Sequence, residues 1–313
     1  MILTELPDLL PRPPTLANAA FRRWFYERWG RENAIILGRA RRAEFPPFRQ
    51  ALSIKRAWGG HEDYLLDSRR LRVDEAHCLV LNEGAEYGAR IESAGPVTSM
   101  AVFFRPNMAQ ELAAAAFLSG AAVLDRGLDP PQRPSGFGEH LRLVTAGLER
   151  RLCALRDAVL AGEDDEQWLE EELQDLLWEM WAAELGWRRR GLVLTGMCRS
   201  AYAELLSRVD RATDFMLSCH TQSITLDEIA AAARLSKYHL VRVFREVHAI
   251  TPMVFLNRQR AFTAQRLIEQ GGLGLDEVAR VCGFGSRQTL FRQLRRHCGG
   301  GGRSLRGLAT TCP

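Results

Sequence analysis

Leu226-Asp227-Glu228-Ile229-Ala230 recurs 49 residues later as Leu275-Asp276-Glu277-Val278-Ala279. Each copy continues in parallel, the first into Leu235-Ser236, Leu240 and Phe244, the second into Phe284-Gly285-Ser286, Leu290 and Leu294. One extra turn residue in the second copy changes the offset to 50. Self-similarity of this kind marks a supersecondary unit used twice.

In each copy a short helix leads into a turn and then a second helix. Ser236 or Ser286 caps that second helix, because a serine hydroxyl accepts from an amide that the first helical turn leaves unpaired. Thr225 and Glu228 have capping-box spacing and place the start of the first short helix. Ala230 and Ala279 keep side chains small where two helices cross closely, and the pattern predicts two helix-turn-helix units. Between them, Met253 to Gln270 carries Phe255, Ala261, Ala264, Leu267 and Ile268 at helical spacing and closes on Gly271-Gly272, a C-cap signal. Roughly 17 residues at about 1.5 Å each span about 25 Å, a rigid connector suited to units that enter successive major grooves about 34 Å apart.

On the second helix of the first unit, Leu240, Val243, Phe244 and Val247 form an apolar stripe at i, i+3, i+4 and i+7. The opposite face then presents Lys237, Tyr238, Val241, Arg242 and Arg245. In the second unit Leu290, Leu294 and Cys298 face inward, which leaves Arg287, Gln288, Phe291, Arg292 and Arg295 outward. These residue types suit DNA: arginine pairs with guanine O6 and N7, glutamine with adenine N6 and N7, and Tyr or Val meets a thymine methyl. Lys237, Arg245, Arg295 and Arg296 are placed to hold phosphates. Any one of these side chains alone would equally fit a solvated helix face; the same layout in two repeats favours recognition.

Charge agrees. The 313-residue chain has 42 Lys+Arg and 38 Asp+Glu, a formal net charge of +4. Gly191 to Pro313 holds 17 basic and 9 acidic residues, net +8, which leaves 25 and 29, net −4, for the remainder. Phe284 to Arg306 contains Arg287, Arg292, Arg295, Arg296, Arg303 and Arg306 and no acid. A polyanionic partner is the natural implication. Because Lys55 and Lys237 are the only lysines, an arginine-rich composition is the competing explanation of that clustering.

Upstream, short apolar runs from about Leu52 to Phe104 are separated by turn chemistry at Asp67-Ser68, Asn82-Glu83-Gly84 and Gly95-Pro96. Such spacing predicts strands of a small antiparallel barrel or sandwich, and the class is α+β. From Glu139 the period changes: Leu141, Val144, Leu148, Leu152, Leu155 and Val159 predict an amphipathic helix ending at Ala161-Gly162. A second helix starts in the acidic patch Glu163 to Glu166 and carries Leu169, Leu173, Leu176, Met180, Ala183 and Trp187. This hairpin stripe fits a homodimer seam and packing against the strand domain equally well. The organisation expected is therefore 1–138 for a strand domain, 139–190 for the hairpin and 191–313 for the double helix-turn-helix module.

Several function classes are disfavoured. No run of 18 apolar residues exists, so no membrane span is expected, and the first residues lack the pattern of a signal peptide, which points to the cytoplasm. The seven cysteines are scattered without a C-x-x-C pair, the histidines lack metal-ligand spacing, and no nucleophile motif appears. No catalytic residue, metal or cofactor is expected. If the strands enclose a ligand cavity, strand-borne groups such as Arg56, Trp58, His61, Glu62 and Tyr64 could line it, but Trp and Tyr in a small barrel are more often core, and no pocket residue is assigned.

The residues from about Cys198 to Leu308 resemble the AraC/XylS family of bacterial transcription regulators. The densest matches are Leu226 to Ala230, Leu235-Ser236-Lys237-Tyr238-His239-Leu240, Phe244-Arg245, Thr251-Pro252, Arg258 to Leu267 and Val278-Ala279 through Gly283-Phe284. The resemblance implies two helix-turn-helix units on a long helix that bind double-stranded DNA. It assigns base reading to Tyr238, Val241 and Arg242 in the first unit and to Arg287, Gln288 and Arg292 in the second. It also implies contact with RNA polymerase, activation rather than repression, and a cupin-like N-terminal domain for a small-molecule effector, looked for at Tyr64 to Phe104. The chain departs from the family at Gln293, which is polar where an apolar residue is usual, at Leu294, which replaces an aromatic, and at Gly299 to Gly302. Those departures predict a second unit that is looser, or less important for affinity, than the first. Two other readings stay open: a metal-dependent cupin enzyme carrying a basic domain, and a helical protein-interaction scaffold.

Overall fold

A computed structural model describes residues 1–6, 27–28, 30–67, 69–112, 136–191 and 199–297. The chain divides into two compact units, Met1–Arg189 and Arg190–Pro313.

The first unit is a sheet of eight strands: β1 (Ile2–Leu3), β2 (Ala34–Arg49), β3 (Ser53–Trp58), β4 (Glu62–Leu66), β5 (Arg69–Val73), β6 (His77–Leu81), β7 (Glu86–Phe103) and β8 (Leu141–Leu143). Their order is β1-β2-β7-β3-β6-β8, with β4 pairing β7 and β5. All pairs are antiparallel except β1 with β2. The end strands β1 and β8 do not pair with each other, so among the described residues the sheet is open, and the closed cupin-like barrel is not formed. Closure depends on pairing between distant strands, which local alternation does not encode.

Three local expectations are corrected. Gly95-Pro96 does not break a strand: β7 runs through it, and Ser93 to Pro96 form a bulge where Ala40 pairs Val97 and Arg42 pairs Glu92. Proline is tolerated there because a bulge frees its position from the ladder. The strand β2, β7's partner over almost its whole length, lies upstream of the expected run, with Pro46-Pro47 at its own irregularity between Phe45 and Phe48. Leu141 to Leu143 is not the start of a helix but β8, paired to β6 through Cys78–Arg142.

The helix α1 (Ala146–Leu160) begins only after Thr145, whose Oγ1 accepts from Leu148 N at 3.2 Å. It ends at Ala161, and Gly162 takes φ +92°, which a residue without Cβ adopts freely. The helix α2 (Glu166–Gly191) opens with Asp165 Oδ1 accepting from Trp168 N at 2.6 Å. Leu148, Leu152, Leu155 and Val159 of α1 and Leu169, Leu173, Leu176 and Met180 of α2 pack with Ile35, Leu37, Ile54, Val80, Met100 and Val102 of the sheet in one core. At about 1.5 to 3 kcal/mol per buried aliphatic side chain, this stripe accounts for the hairpin's attachment. It is spent inside the chain rather than left for a dimer seam.

The second unit is helical: α3 (Arg199–Cys219), α4 (Leu226–Ala232), α5 (Lys237–His248), α6 (Pro252–Gln270), α7 (Leu275–Val281) and α8 (Arg287–His297). The repeat recurs atom for atom at the turns. Leu235 N donates to Ala230 O at 3.0 Å and Phe284 N to Ala279 O at 2.8 Å, the same closure in both units. The residue before each is left-handed, Arg234 with φ +53° and Gly283 with φ +70°. Between the units, α6 serves both: Phe255 meets Phe244 of α5 edge-on at 5.6 Å, while Ala261 and Ala264 pack with Val278, Ala279, Leu290 and Leu294. Gly299 to Gly302 and Cys298 lie outside the described residues.

Candidate nucleic-acid interface

Each second helix is placed by its own buried stripe. In α5, Leu240, Val243, Phe244 and Val247 are buried, and Ser236 Oγ accepts from His239 N at 3.3 Å to start the helix. In α8, Leu290 and Leu294 are buried, and Ser286 Oγ accepts from Thr289 N at 3.2 Å. The first short helix is fixed by the complete capping box, with Thr225 N donating to Glu228 Oε2 at 2.7 Å and Glu228 N to Thr225 Oγ1 at 3.3 Å. Thr225 Oγ1 also donates to Glu228 Oε2 at 2.7 Å, and that bond, with the one from Thr225 N, holds the Glu228 carboxyl below its ordinary range.

The outward faces form two shallow open grooves. The first is lined by Leu226, Lys237, Tyr238, Val241, Arg242, Arg245 and Glu246. The second is lined by Arg287, Gln288, Phe291, Arg292, Arg295 and Arg296. Every residue singled out for base reading or phosphate contact thus lies in one groove or the other. Tyr238 is 89 % exposed, unusual for a large ring with no structural duty. Lys237 Nζ lies 3.0 Å from Asp227 of α4, so this cation already has a carboxylate partner. Arg287 stands 5.6 Å from the ring of Phe291.

Sequence reasoning passed over Leu226 and Glu246, and it placed Phe291 on the outward face without giving it a role. The signal for Glu246 was present, because the offset of 50 sets it opposite Arg296. Beneath the grooves, Arg260 of α6 donates from Nε to His220 O and from a terminal nitrogen to Gln222 O, both at 2.6 Å. Burial pushes the nearby Cys282 thiol up to about 11, which leaves it inert at neutral pH.

In the first unit, the groups considered for a ligand cavity separate onto two faces. Arg56 and Trp58 lie on the helix-covered side: an Arg56 guanidinium nitrogen donates to Asp74 O at 3.0 Å, another pairs with Glu149, and Trp58 packs against the main core. His61 sits 3.8 Å from Asp63 at the margin, and burial lowers its pKa. The opposite side holds a polar cluster that composition did not announce. Lys55, 1 % exposed, has its Nζ 3.6 Å from the centroid of Phe103 and 5.0 Å from that of Tyr87. Glu62 Oε2 accepts from Tyr64 Oη at 2.8 Å and Ser99 Oγ at 2.6 Å. Burial drives the Lys55 amine well below and the Glu62 carboxyl above their ordinary values. Among the described residues, no group of three or more His, Cys, Asp or Glu is arranged to hold a metal ion, and no helix is long and apolar enough to cross a membrane.

Residues 229–300 match the family model described as a helix-turn-helix domain. The C-terminal module is an AraC-type helix-turn-helix domain. The probable transcription factor PqrA of Proteus vulgaris is 26% identical over 76 residues, covering 24% of this chain and 62% of PqrA. The transcriptional activator RhaS of Klebsiella pneumoniae is 30% identical over 90 residues, covering 28% of this chain and 32% of RhaS. Among solved structures, the DNA-binding domain of AdpA in complex with a target DNA is 30% identical, covers 33% of this chain and 95% of its own, and has a TM-score of 0.29. The chain spans less than two thirds of these curated relatives, and the similarity lies in the AraC-type module.

Proposed function

We propose that this chain is a sequence-specific DNA-binding transcription regulator, not an enzyme, acting in the cytoplasm as an activator through RNA polymerase. The observation that carries the reading is the pair of equivalent grooves, each an exposed arginine-bearing face on a helix seated by a conserved-geometry turn within its own repeat. In this reading Tyr238, Val241, Arg242, Arg287, Gln288 and Arg292 contact base edges, while Lys237, Arg245, Arg295 and Arg296 contact phosphates. Selection of duplexes from a random pool by the full-length protein tests it. Enrichment of a two-part motif is expected; a pool still random after repeated rounds refutes it.

We further infer that the N-terminal unit receives a small organic ligand bearing an acidic group. What supports this is Lys55, a buried amine set against the rings of Phe103 and Tyr87, beside the Glu62–Tyr64–Ser99 cluster on the face of the sheet opposite α1 and α2. Such a ligand regulates only if its affinity differs between two states of the protein. A panel of small organic acids should include members that raise the melting temperature of wild type and not of Lys55→Met; no shift with any member contradicts the assignment. A homodimer through 139–190 would use the outer face of α2, where Trp178 is half-exposed, because the leucine stripe is already covered.

A further inference from the structure

The two grooves correspond residue by residue at the offset of 50: Lys237 with Arg287, Tyr238 with Gln288, Val241 with Phe291, Arg242 with Arg292, Arg245 with Arg295 and Glu246 with Arg296. Five of these pairs keep the charge type or stay uncharged; the last reverses it. A second feature of the first groove acts in the same direction: Lys237 is held by Asp227, 3.0 Å away, so one of its cations already faces a carboxylate. The first groove therefore sets Arg242 and Arg245 beside Glu246, and the second is lined by four arginines and, among the described residues, by no acid.

We propose that the two units divide the work of DNA binding unequally, the second supplying the sequence-independent grip on phosphates and the first engaging through its base contacts. This rests on the DNA-binding reading above and deepens it. Non-specific affinity comes from phosphates neutralised and counterions released, so each cation brought to the backbone steepens the dependence of log affinity on log salt by about 0.9. A carboxylate facing the same backbone opposes approach to every duplex alike. Glu246 thus keeps the first unit from holding DNA by charge alone, and that unit commits where Tyr238, Val241 and Arg242 find matching bases. The expected looseness of the second unit, drawn from Gln293 and the glycine ending, does not make it dispensable: it is the anchor.

Equivalent positions allow a matched test on the full-length protein, with binding to selected and shuffled duplexes measured across a salt series. Arg295→Gln should weaken shuffled DNA about fivefold near physiological salt and flatten the salt slope by about 0.9. Arg245→Gln should leave shuffled DNA within about twofold and its slope unchanged, while weakening the selected site by an amount on the order of one charged contact. Glu246→Arg should steepen the slope on shuffled DNA by about 0.9, a gain that misfolding cannot mimic. Equal effects of the two glutamine variants on shuffled DNA, or an unchanged slope for Glu246→Arg, would overturn the proposal. Wild type that treats selected and shuffled duplexes alike would instead bring down the specificity reading, and the matched variants would still report the division of phosphate contacts.

Discussion

Gln293 is the residue whose replacement should most improve the second unit. It is 7 % exposed on α8, between the buried Leu290 and Leu294, and among the described residues its Oε1 has no hydrogen-bond partner. A buried acceptor left unpaired costs about 1 to 3 kcal/mol, the desolvation of the group with nothing to offset it. Methionine is of similar length, unbranched, a good helix former and free of that cost. Gln293→Met should therefore stabilise the unit by about 1 to 3 kcal/mol, a rise in melting temperature of roughly 4 °C or more for a domain of this size. All seven tryptophans precede Gly191, so intrinsic fluorescence reports the first unit. Far-ultraviolet circular dichroism during denaturation of the full chain follows helices of both, and the component without a fluorescence counterpart belongs to the second. An unchanged or lowered second transition would show that the amide is satisfied, and the packing argument would fail.

Other outcomes follow from single contacts. Arg234→Gly should stabilise by up to about 1 kcal/mol in urea denaturation because φ +53° strains a residue with Cβ, whereas Gly283→Ala should destabilise, its Cβ meeting Thr221 O at 3.1 Å. Removing the cap with Thr225→Ala should cost about 1 kcal/mol in the same assay, and the loss should not appear in the fluorescence transition. Arg142 pairs with Glu184 inside the first unit, so Arg142→Ala should cost about 3 to 5 kcal/mol by removing the cation that offsets a buried carboxylate, read from the fluorescence transition. The Lys55 amine is held below its ordinary value in the folded chain, which then binds fewer protons than the unfolded chain between the two pKa values; stability from this group rises with pH across that window. Lys55→Met should abolish that rise, and a persisting rise would assign it elsewhere.

The repeat was legible because its signals are local. Serine and threonine caps, a 3.6-residue stripe and glycine at a turn each act within a few residues, so Thr225, Ser236, Ser286 and Leu240 to Val247 told their own structure. The first unit depends on partners far apart in the chain. Arg39, Arg41, Arg42 and Pro46-Pro47 hid β2, whose strand character comes from pairing with β7, and the apolar spacing at Leu141 and Val144 suits a helix until β6 offers its edge. An open sheet and a closed barrel share the same alternation. Within the grooves, searching for cations found the arginines and overlooked Glu246, whose meaning comes only from comparison with Arg296. Lys55 was passed over because its burial is a property of the folded sheet.

The central claim is discrimination between DNA sequences by the paired grooves. Fluorescence anisotropy of the full-length protein on its selected duplex against a shuffled duplex of equal composition, at physiological salt, tests it most directly. Specific binding should exceed non-specific by about a thousandfold or more, and Arg242→Ala should cost about 1 to 3 kcal/mol on the selected duplex alone. Equal affinities that fall together with salt, unchanged in ratio by Arg242→Ala, would contradict the account.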